Sequence, residues 1–287
     1  MSDIVEHAVA IDSTQAARCW TAGTPRGVLV VAHGMGEHGA RYREPLTPLI
    51  ADGWAVYSID HRGHGAAALA DGTQGDFGSG GFPGVVADLR VLVGAAREAH
   101  PGLPLVLLGH SMGSMIAQAY VVDHGDTLDG LVLSGAVAVD HVPPPVDDPD
   151  AIAAMLNSPF APARTAFDWL SRDDGAVDEY VADPLCGFSL TPGSLETIRA
   201  EAGRLSDEVD RIPKTLPIYI FSGDHDPLHC VLHGWQPLVD RYRAAGLNVE
   251  DRLYPDGRHE MLNEVNRDEV VADLRDWLGR YYFSRSP

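Results

Sequence analysis

Apolar residues along this chain cluster in short runs separated by longer stretches with helical spacing. Strands are predicted at 27–32, 54–59, 105–108, 128–139, 217–221 and 249–254, with two extended segments before them at 5–11 and 15–20. Between them, 41–51, 85–100, the stretch from 112 to His124-Gly125, 235–245 and 267–281 carry helical patterns, and a glycine-rich loop covers 72–84. Near-continuous apolar strands alternating with helices predict a mostly parallel central sheet with helices on both faces, an α/β fold. The rhythm breaks over 141–211, where Pro143-Pro144-Pro145, several Asp residues and helical fragments at 149–156, 167–170 and 195–205 replace it. Met155, Leu156, Phe160, Phe167, Trp169, Leu170 and Phe188 are too many large apolar side chains for a disordered acidic linker. The expected organisation is a core of 1–140 and 212–287 interrupted by a mostly helical insertion, 141–211, lying over the strand ends.

Charge narrows the partners. The 287 residues carry 41 carboxylates against 21 Lys plus Arg, a formal charge of −20. That surplus repels nucleic acid and disfavours docking on anionic lipid, while leaving a neutral or zwitterionic small molecule compatible. No run reaches bilayer length, and the first residues lack the positive start and apolar centre of a secretion signal. Three distant cysteines, Cys19, Cys186 and Cys230, imply no disulfide framework, so a cytoplasmic protein is expected.

The candidate chemistry starts where the strand 105–108 runs into Gly109-His110-Ser111-Met112-Gly113. Gly-x-Ser-x-Gly between a strand and a helix forms a sharp turn that lifts the serine Oγ above the sheet. A serine hydroxyl needs a base, and the base needs an acid to orient it. Active groups in open parallel sheets gather beyond the carboxyl ends of strands. His259 follows the strand 249–254 and is the expected base, with His124, His141, His225, His229 and His233 as poorer candidates. After the strand 217–221 two aspartates compete, Asp224 and Asp226, and the loop spacing modestly favours Asp226. Acyl transfer also needs two donors for the developing oxyanion; the backbone N–H groups of Met112 and Met35 are the natural pair. Gly78-Ser79-Gly80-Gly81 lacks the strand–helix setting of a phosphate loop, His61 and His64 sit among turn glycines, and the cysteines lack zinc spacing. No metal or other cofactor is expected.

Taken together, these segments resemble a family. Ala32-His33-Gly34-Met35-Gly36-Glu37-His38 with Arg41-Tyr42, then Asp60-His61-Arg62-Gly63-His64-Gly65, Gly109–Gly113, Gly223-Asp224-His225-Asp226 and Arg258-His259-Glu260 resemble the monoacylglycerol lipase/lysophospholipase branch of the α/β-hydrolases, also grouped with serine aminopeptidase S33-type hydrolases. The resemblance implies the α/β-hydrolase fold, Ser111, Asp226 and His259 as catalytic residues, Met35 and Met112 as oxyanion donors, and 141–211 as a cap, or lid. It also implies that Glu37 and Arg41 stand near the substrate head group; the alternative is that they brace the loop carrying Met35. Some relatives place a second head-group histidine three residues after the catalytic one, where this chain has Leu262. The expected activity is hydrolysis of a monoacylglycerol-like or lysophospholipid-like acyl ester through an acyl-enzyme, with transient lipid contact through the cap. A general carboxylesterase or amidase, or a non-catalytic binding protein of the same fold, are the alternatives.

Overall fold

The computed structural model describes residues 3–12, 15–142 and 149–283. Eight strands form one sheet: β1 (Val5–Asp12), β2 (Gln15–Thr21), β3 (Gly27–Ala32), β4 (Trp54–Ile59), β5 (Leu105–His110), β6 (Gly130–Ser134), β7 (Pro217–Gly223) and β8 (Asn248–Tyr254). Their order is β1-β2-β4-β3-β5-β6-β7-β8. The β1–β2 and β2–β4 pairs are antiparallel and all others parallel. Every residue of β3, β4 and β5 is buried, because helices cover both faces.

Side-chain alternation divides the core in two. Val28 and Val30 of β3 and Leu105 and Leu107 of β5 face the helices Gly81–Ala99 and Met112–His124, whereas Leu29, Val31, Val106 and Leu108 face the opposite layer. The helices run in chain order α1 (Thr47–Ala51), α2 (Gly65–Asp71), α3 (Gly81–Ala99), α4 (Met112–His124), α5 (Pro149–Asn157), α6 (Asp174–Ala182), α7 (Pro192–Ala200), α8 (Ala202–Asp207), α9 (Pro227–Cys230), α10 (Trp235–Ala244) and α11 (Arg267–Tyr282). On α3 the residues Val85, Leu89, Leu92 and Ala96 recur at intervals of three and four and are buried in the first layer. Val270, Leu274, Trp277 and Leu278 of α11 do the same in the second, together with Leu49 and Ile50 of α1.

The structure departs from the expected elements in particular places. Instead of one helix over 41–51 there is a 3-10 turn, Gly39–Tyr42, and then the short α1, because Pro45 and Pro48 cannot continue a helical hydrogen-bond ladder. The extended reading of 128–139 shortens to β6, since Gly135 turns the chain with φ 54°. Residues 167–170 form turns rather than a helix. There the Asp168 carboxylate accepts from Thr165 N at 3.1 Å and from Thr165 Oγ1 at 2.6 Å, a local network that competes with helical bonding. The helical reading of 195–205 becomes two helices, α7 and α8, and the supposed glycine-rich loop already turns helical at Gly81. Three helices had no counterpart in the sequence reading: the alanine-rich α2, the short α9, and α6, capped by an Asp173 side chain that accepts from Gly175 N at 3.0 Å.

Helices α5 to α8 follow β6 and precede β7. The proline run 143–145 lies outside the described residues. Helix α7 is tied to the segment entering α3, with Phe77 N donating to Ser194 Oγ at 2.9 Å and Phe82 N to Thr197 Oγ1 at 3.0 Å. Among the described residues no helix is long and apolar enough to cross a membrane.

Candidate active site

Ser111 sits between the last residue of β5 and the first of α4, with φ 54° and ψ −119°. A non-glycine residue in this region stores of the order of 1–3 kcal/mol of backbone strain, so its surroundings must hold it. Its N–H donates to Ser134 O at 2.9 Å, and its carbonyl accepts from Ser114 N at 2.8 Å and Ser114 Oγ at 2.6 Å. The flanking glycines explain the motif. A Cβ on Gly113 would lie 2.0 Å from the Ala32 carbonyl oxygen, and one on Gly109 would lie 2.3 Å from Gly113 O. Neither position admits a side chain.

Beyond β8, the loop brings His259 to the same place. Its Nδ1 is 2.9 Å from Asp226 Oδ2. Asp226, the N-cap of α9 after β7, also accepts from Ser222 Oγ at 2.6 Å and Leu228 N at 2.9 Å. Burial alone would raise the Asp226 pKa, but the His259 charge and these three donors bring it below the ordinary carboxylate value. Burial alone would lower His259, and Asp226 more than offsets it, so the imidazole is a stronger base than usual. With Nδ1–H donating to the carboxylate, Nε2 keeps its lone pair. Of the two competing aspartates, Asp224 turns instead to the exposed His225, whose Nδ1 is 2.6 Å away.

The Met35 loop is braced from below by neutral histidines. His33 Nε2 accepts from His61 N at 3.0 Å, leaving Nδ1–H to donate to Gly34 O at 2.7 Å. His64 Nε2 accepts from Gly36 N at 3.3 Å and its Nδ1–H donates to Arg62 O at 2.9 Å. Burial and the neighbouring imidazoles hold His33 well below its usual pKa; burial takes His64 to about 4. From above, Gly36 O accepts from Tyr180 Oη at 2.7 Å and Gly187 N at 3.0 Å. Met112 N lies at the N-terminal end of α4, where unpaired donors favour negative charge.

Glu37 and Arg41 belong to a buried network. Glu37 Oε1 accepts from Gly34 N at 2.5 Å and from Tyr42 Oη at 2.8 Å, and Oε2 accepts from Arg41 Nη1 at 2.6 Å. Arg41 also donates two parallel bonds of 2.8 Å to Glu260, whose carboxyl, despite burial, falls to about pKa 2 beside the guanidinium. Both Glu37 oxygens are therefore occupied by protein donors, one of them on the Met35 loop.

Two cavities meet at Ser111. One is lined by apolar groups, among them Met112, Met115, Val137, Ile152, Leu195 and Leu228. The other is lined by Glu37, His110, Tyr180, Phe188, His259 and Glu260. Met35, Leu156 and Trp169 border both. A serine, an imidazole and a carboxylate arranged beside a two-armed cavity could carry out acyl transfer from a molecule with one apolar and one polar part.

Sequence reasoning missed the braces His33 and His64, the Glu260 partner of Arg41, and Trp169 of the insertion. No spacing rule joins residues so far apart in the chain, although His33, His64 and Glu260 lie within motifs that the sequence did show. Among the described residues one group of three could hold a metal ion: His38, Asp183 and Cys186, with ligand atoms within 4.8 Å of one another. There His38 Nε2 is 2.9 Å from Asp183 Oδ2, a contact that closes the seam between the Met35 loop and the end of α6.

Residues 23–266 match the family described as serine aminopeptidase, S33. A monoacylglycerol lipase of Mycolicibacterium smegmatis is 36% identical over 266 residues, 90% of each chain. The human monoglyceride lipase is 30% identical over 271 residues, 90% of this chain and 84% of the relative. Among solved structures, a thermostable carboxyl esterase from Bacillus coagulans in complex with glycerol superposes with a TM-score of 0.85 at 27% identity, covering 98% of this chain and 99% of that one.

Proposed function

We propose, starting from the fact that the chain belongs to the serine aminopeptidase S33 family, in the monoacylglycerol lipase branch of the α/β-hydrolases, that Ser111, His259 and Asp226 cleave monoacyl esters. The protein is an ester hydrolase of the monoacylglycerol lipase type, acting on a small-molecule ester. In the proposed mechanism Ser111 Oγ attacks the ester carbonyl while His259 Nε2 takes its proton. The negative charge that forms on the carbonyl oxygen is met by the Met35 and Met112 N–H groups. His259 returns the proton to the departing alcohol, and the acyl-enzyme is cleared by a water molecule that the same imidazole deprotonates.

The observation that supports this reading best is the meeting of the two cavities at Ser111. The apolar arm suits an acyl chain, and the arm bordered by Glu37, His110 and Glu260 suits a hydroxylated head group. The insertion 141–211 serves as the cap that supplies Ile152, Leu156, Trp169 and Leu195 to these walls. We read Glu37 and Arg41 primarily as braces of the Met35 loop, because their hydrogen bonds are already made within the protein. The acidic surface keeps lipid contact transient, and we place the enzyme in the cytoplasm.

A matched panel tests the substrate claim: 1-monoacylglycerol, lysophosphatidylcholine and p-nitrophenyl esters of rising chain length. Preference for monoacylglycerol with medium or long chains supports the proposal. Turnover confined to short simple esters instead supports a general carboxylesterase, a second reading favoured by Leu262 and by the similarity to the Bacillus coagulans esterase.

A further inference from the structure

Two rings pack near the His259 imidazole. His110, from the end of β5, lies with ring centroids 4.8 Å apart and planes tilted by 46°, and Trp169 lies 5.0 Å away with planes tilted by 38°. Trp169 comes from the cap, not from the core that carries the base. Its segment is stitched to the base loop along its length. His259 N donates to Trp169 O at 3.4 Å and Glu260 N to Leu170 O at 2.7 Å. Arg258 Nη1 donates to Ser171 O at 3.0 Å, and the fully buried Glu264 Oε1 accepts from both Arg172 N and Arg258 N at 3.0 Å. The indole therefore has a set position against the imidazole rather than a casual one.

We propose that Trp169 is a positioning residue for the base, its π face stabilising the imidazolium that His259 becomes during attack, so that the seating of the cap segment 168–172 and the strength of the base are linked. This role for Trp169 depends on the proposed role of His259 as the base. An aromatic face within about 6 Å of a desolvated cation attracts it, and the attraction is absent when the imidazole is neutral. An interaction present only in the charged form lowers the barrier rather than merely binding substrate. The other groups facing the imidazole act from different elements. Asp226 holds Nδ1, and Glu37 and Glu260, both paired with Arg41, add negative charge at longer range. His110, kept neutral by burial with its pKa near 4, contributes no competing charge at neutral pH.

The test replaces the quadrupole and keeps the shape: 5,7-difluorotryptophan installed at position 169 alone, with p-nitrophenyl acetate as a substrate too small to need the apolar arm. The expected result is a three- to fivefold lower kcat, about what halving a cation–π contact gives, with the acid limb of the kcat/KM profile moved to lower pH and KM unchanged. Trp169→Phe should retain most of the activity and Trp169→Leu should lose about tenfold in kcat. An unchanged kcat and acid limb in the fluorinated protein, with only the long-ester KM altered in Trp169→Leu, would reduce Trp169 to a wall of the cavity. His259→Gln is run alongside. If it keeps wild-type turnover, the reading of His259 as base fails, and this proposal with it. If it is inactive while the fluorinated protein is unaffected, only the proposal for Trp169 fails.

Discussion

Replacing Asp226 by Asn isolates the acid without removing volume. Its two carboxylate oxygens are not equivalent: Oδ1 accepts only the Leu228 N–H, while Oδ2 accepts from Ser222 Oγ and His259 Nδ1. An asparagine must put its NH2 at one of these places. Facing Leu228, two donors would meet, and a backbone N–H cannot reverse; leaving it unsatisfied in the interior costs about 1–3 kcal/mol. Facing His259, the conflict disappears if the imidazole moves its proton from Nδ1 to Nε2 and if the Ser222 hydroxyl rotates. The second arrangement therefore wins. It leaves His259 Nε2 protonated and unable to accept from Ser111, and it removes the charge that stabilises the imidazolium. The expected loss in kcat is of the order of 10³–10⁴, about 4–5.5 kcal/mol of barrier. Stopped-flow acylation with a p-nitrophenyl ester reads this directly, and circular dichroism verifies the fold. Asp224→Asn, altering only the pairing with exposed His225, should stay within about twofold of the wild type, as surface changes do. If Asp226→Asn kept more than about a tenth of the acylation rate, the reasoning from tautomer and charge would be refuted.

Other expectations follow from the same contacts. Gly113→Ala forces a Cβ against the Ala32 carbonyl at 2.0 Å, so β3 and α4 must separate; a loss of about 2–4 kcal/mol in a urea melt is expected, and a change below about 0.5 kcal/mol would contradict the packing. Glu37→Gln weakens the Met35 loop; its kcat should fall by the same factor on p-nitrophenyl acetate and on monoacylglycerol, whereas a loss confined to monoacylglycerol would make Glu37 a head-group ligand. Acid should unfold the protein steeply. The pKa values of buried His61, His64 and His110 are pushed down to about 3, 4 and 4 and that of His33 also falls, so the folded state holds them neutral while the unfolded chain protonates near 6.5. Their contribution is fully present above 6.5 and is lost as pH falls, at roughly 1 kcal/mol per pH unit for each. His259, raised by Asp226, works in the opposite sense, stabilising below 6.5 and losing that effect as pH climbs through its folded value. Chemical denaturation from pH 8 to 5 should show the net decline; a flat profile would mean that these imidazoles are not buried as neutral groups.

Local pattern carried the central strands well because β3, β4, β5 and β7 are short apolar runs, and β3, β5 and β7 lie within two residues of their expected ends. Ser111 was equally readable, since the two glycines around it answer a steric demand within five residues. Asp226 was less so. Spacing favoured it only modestly over Asp224, because what distinguishes them is a hydrogen bond to His259, 33 residues away. The segment between β6 and β7 was the least legible region. Helix α6 buries only Val177 and Tyr180, too few to show a period, and Asp168 diverts 167–170 from helix to turn. Arg41 and Glu260 stand 219 residues apart, and nothing local signals that a bidentate pair joins them. The same holds for Trp169, which stands 90 positions before His259 in the chain and meets it only in the fold.

The most direct test of the central claim is covalent labelling of the nucleophile. The wild type and Ser111→Ala are each treated with an acyl-like fluorophosphonate, and the modified peptide is identified by mass spectrometry while monoacylglycerol hydrolysis is followed in parallel. One adduct on Ser111, with labelling and hydrolysis both abolished in a folded Ser111→Ala protein, is the predicted result. An adduct on another residue, or a folded Ser111→Ala protein that still turns over ester, would contradict it.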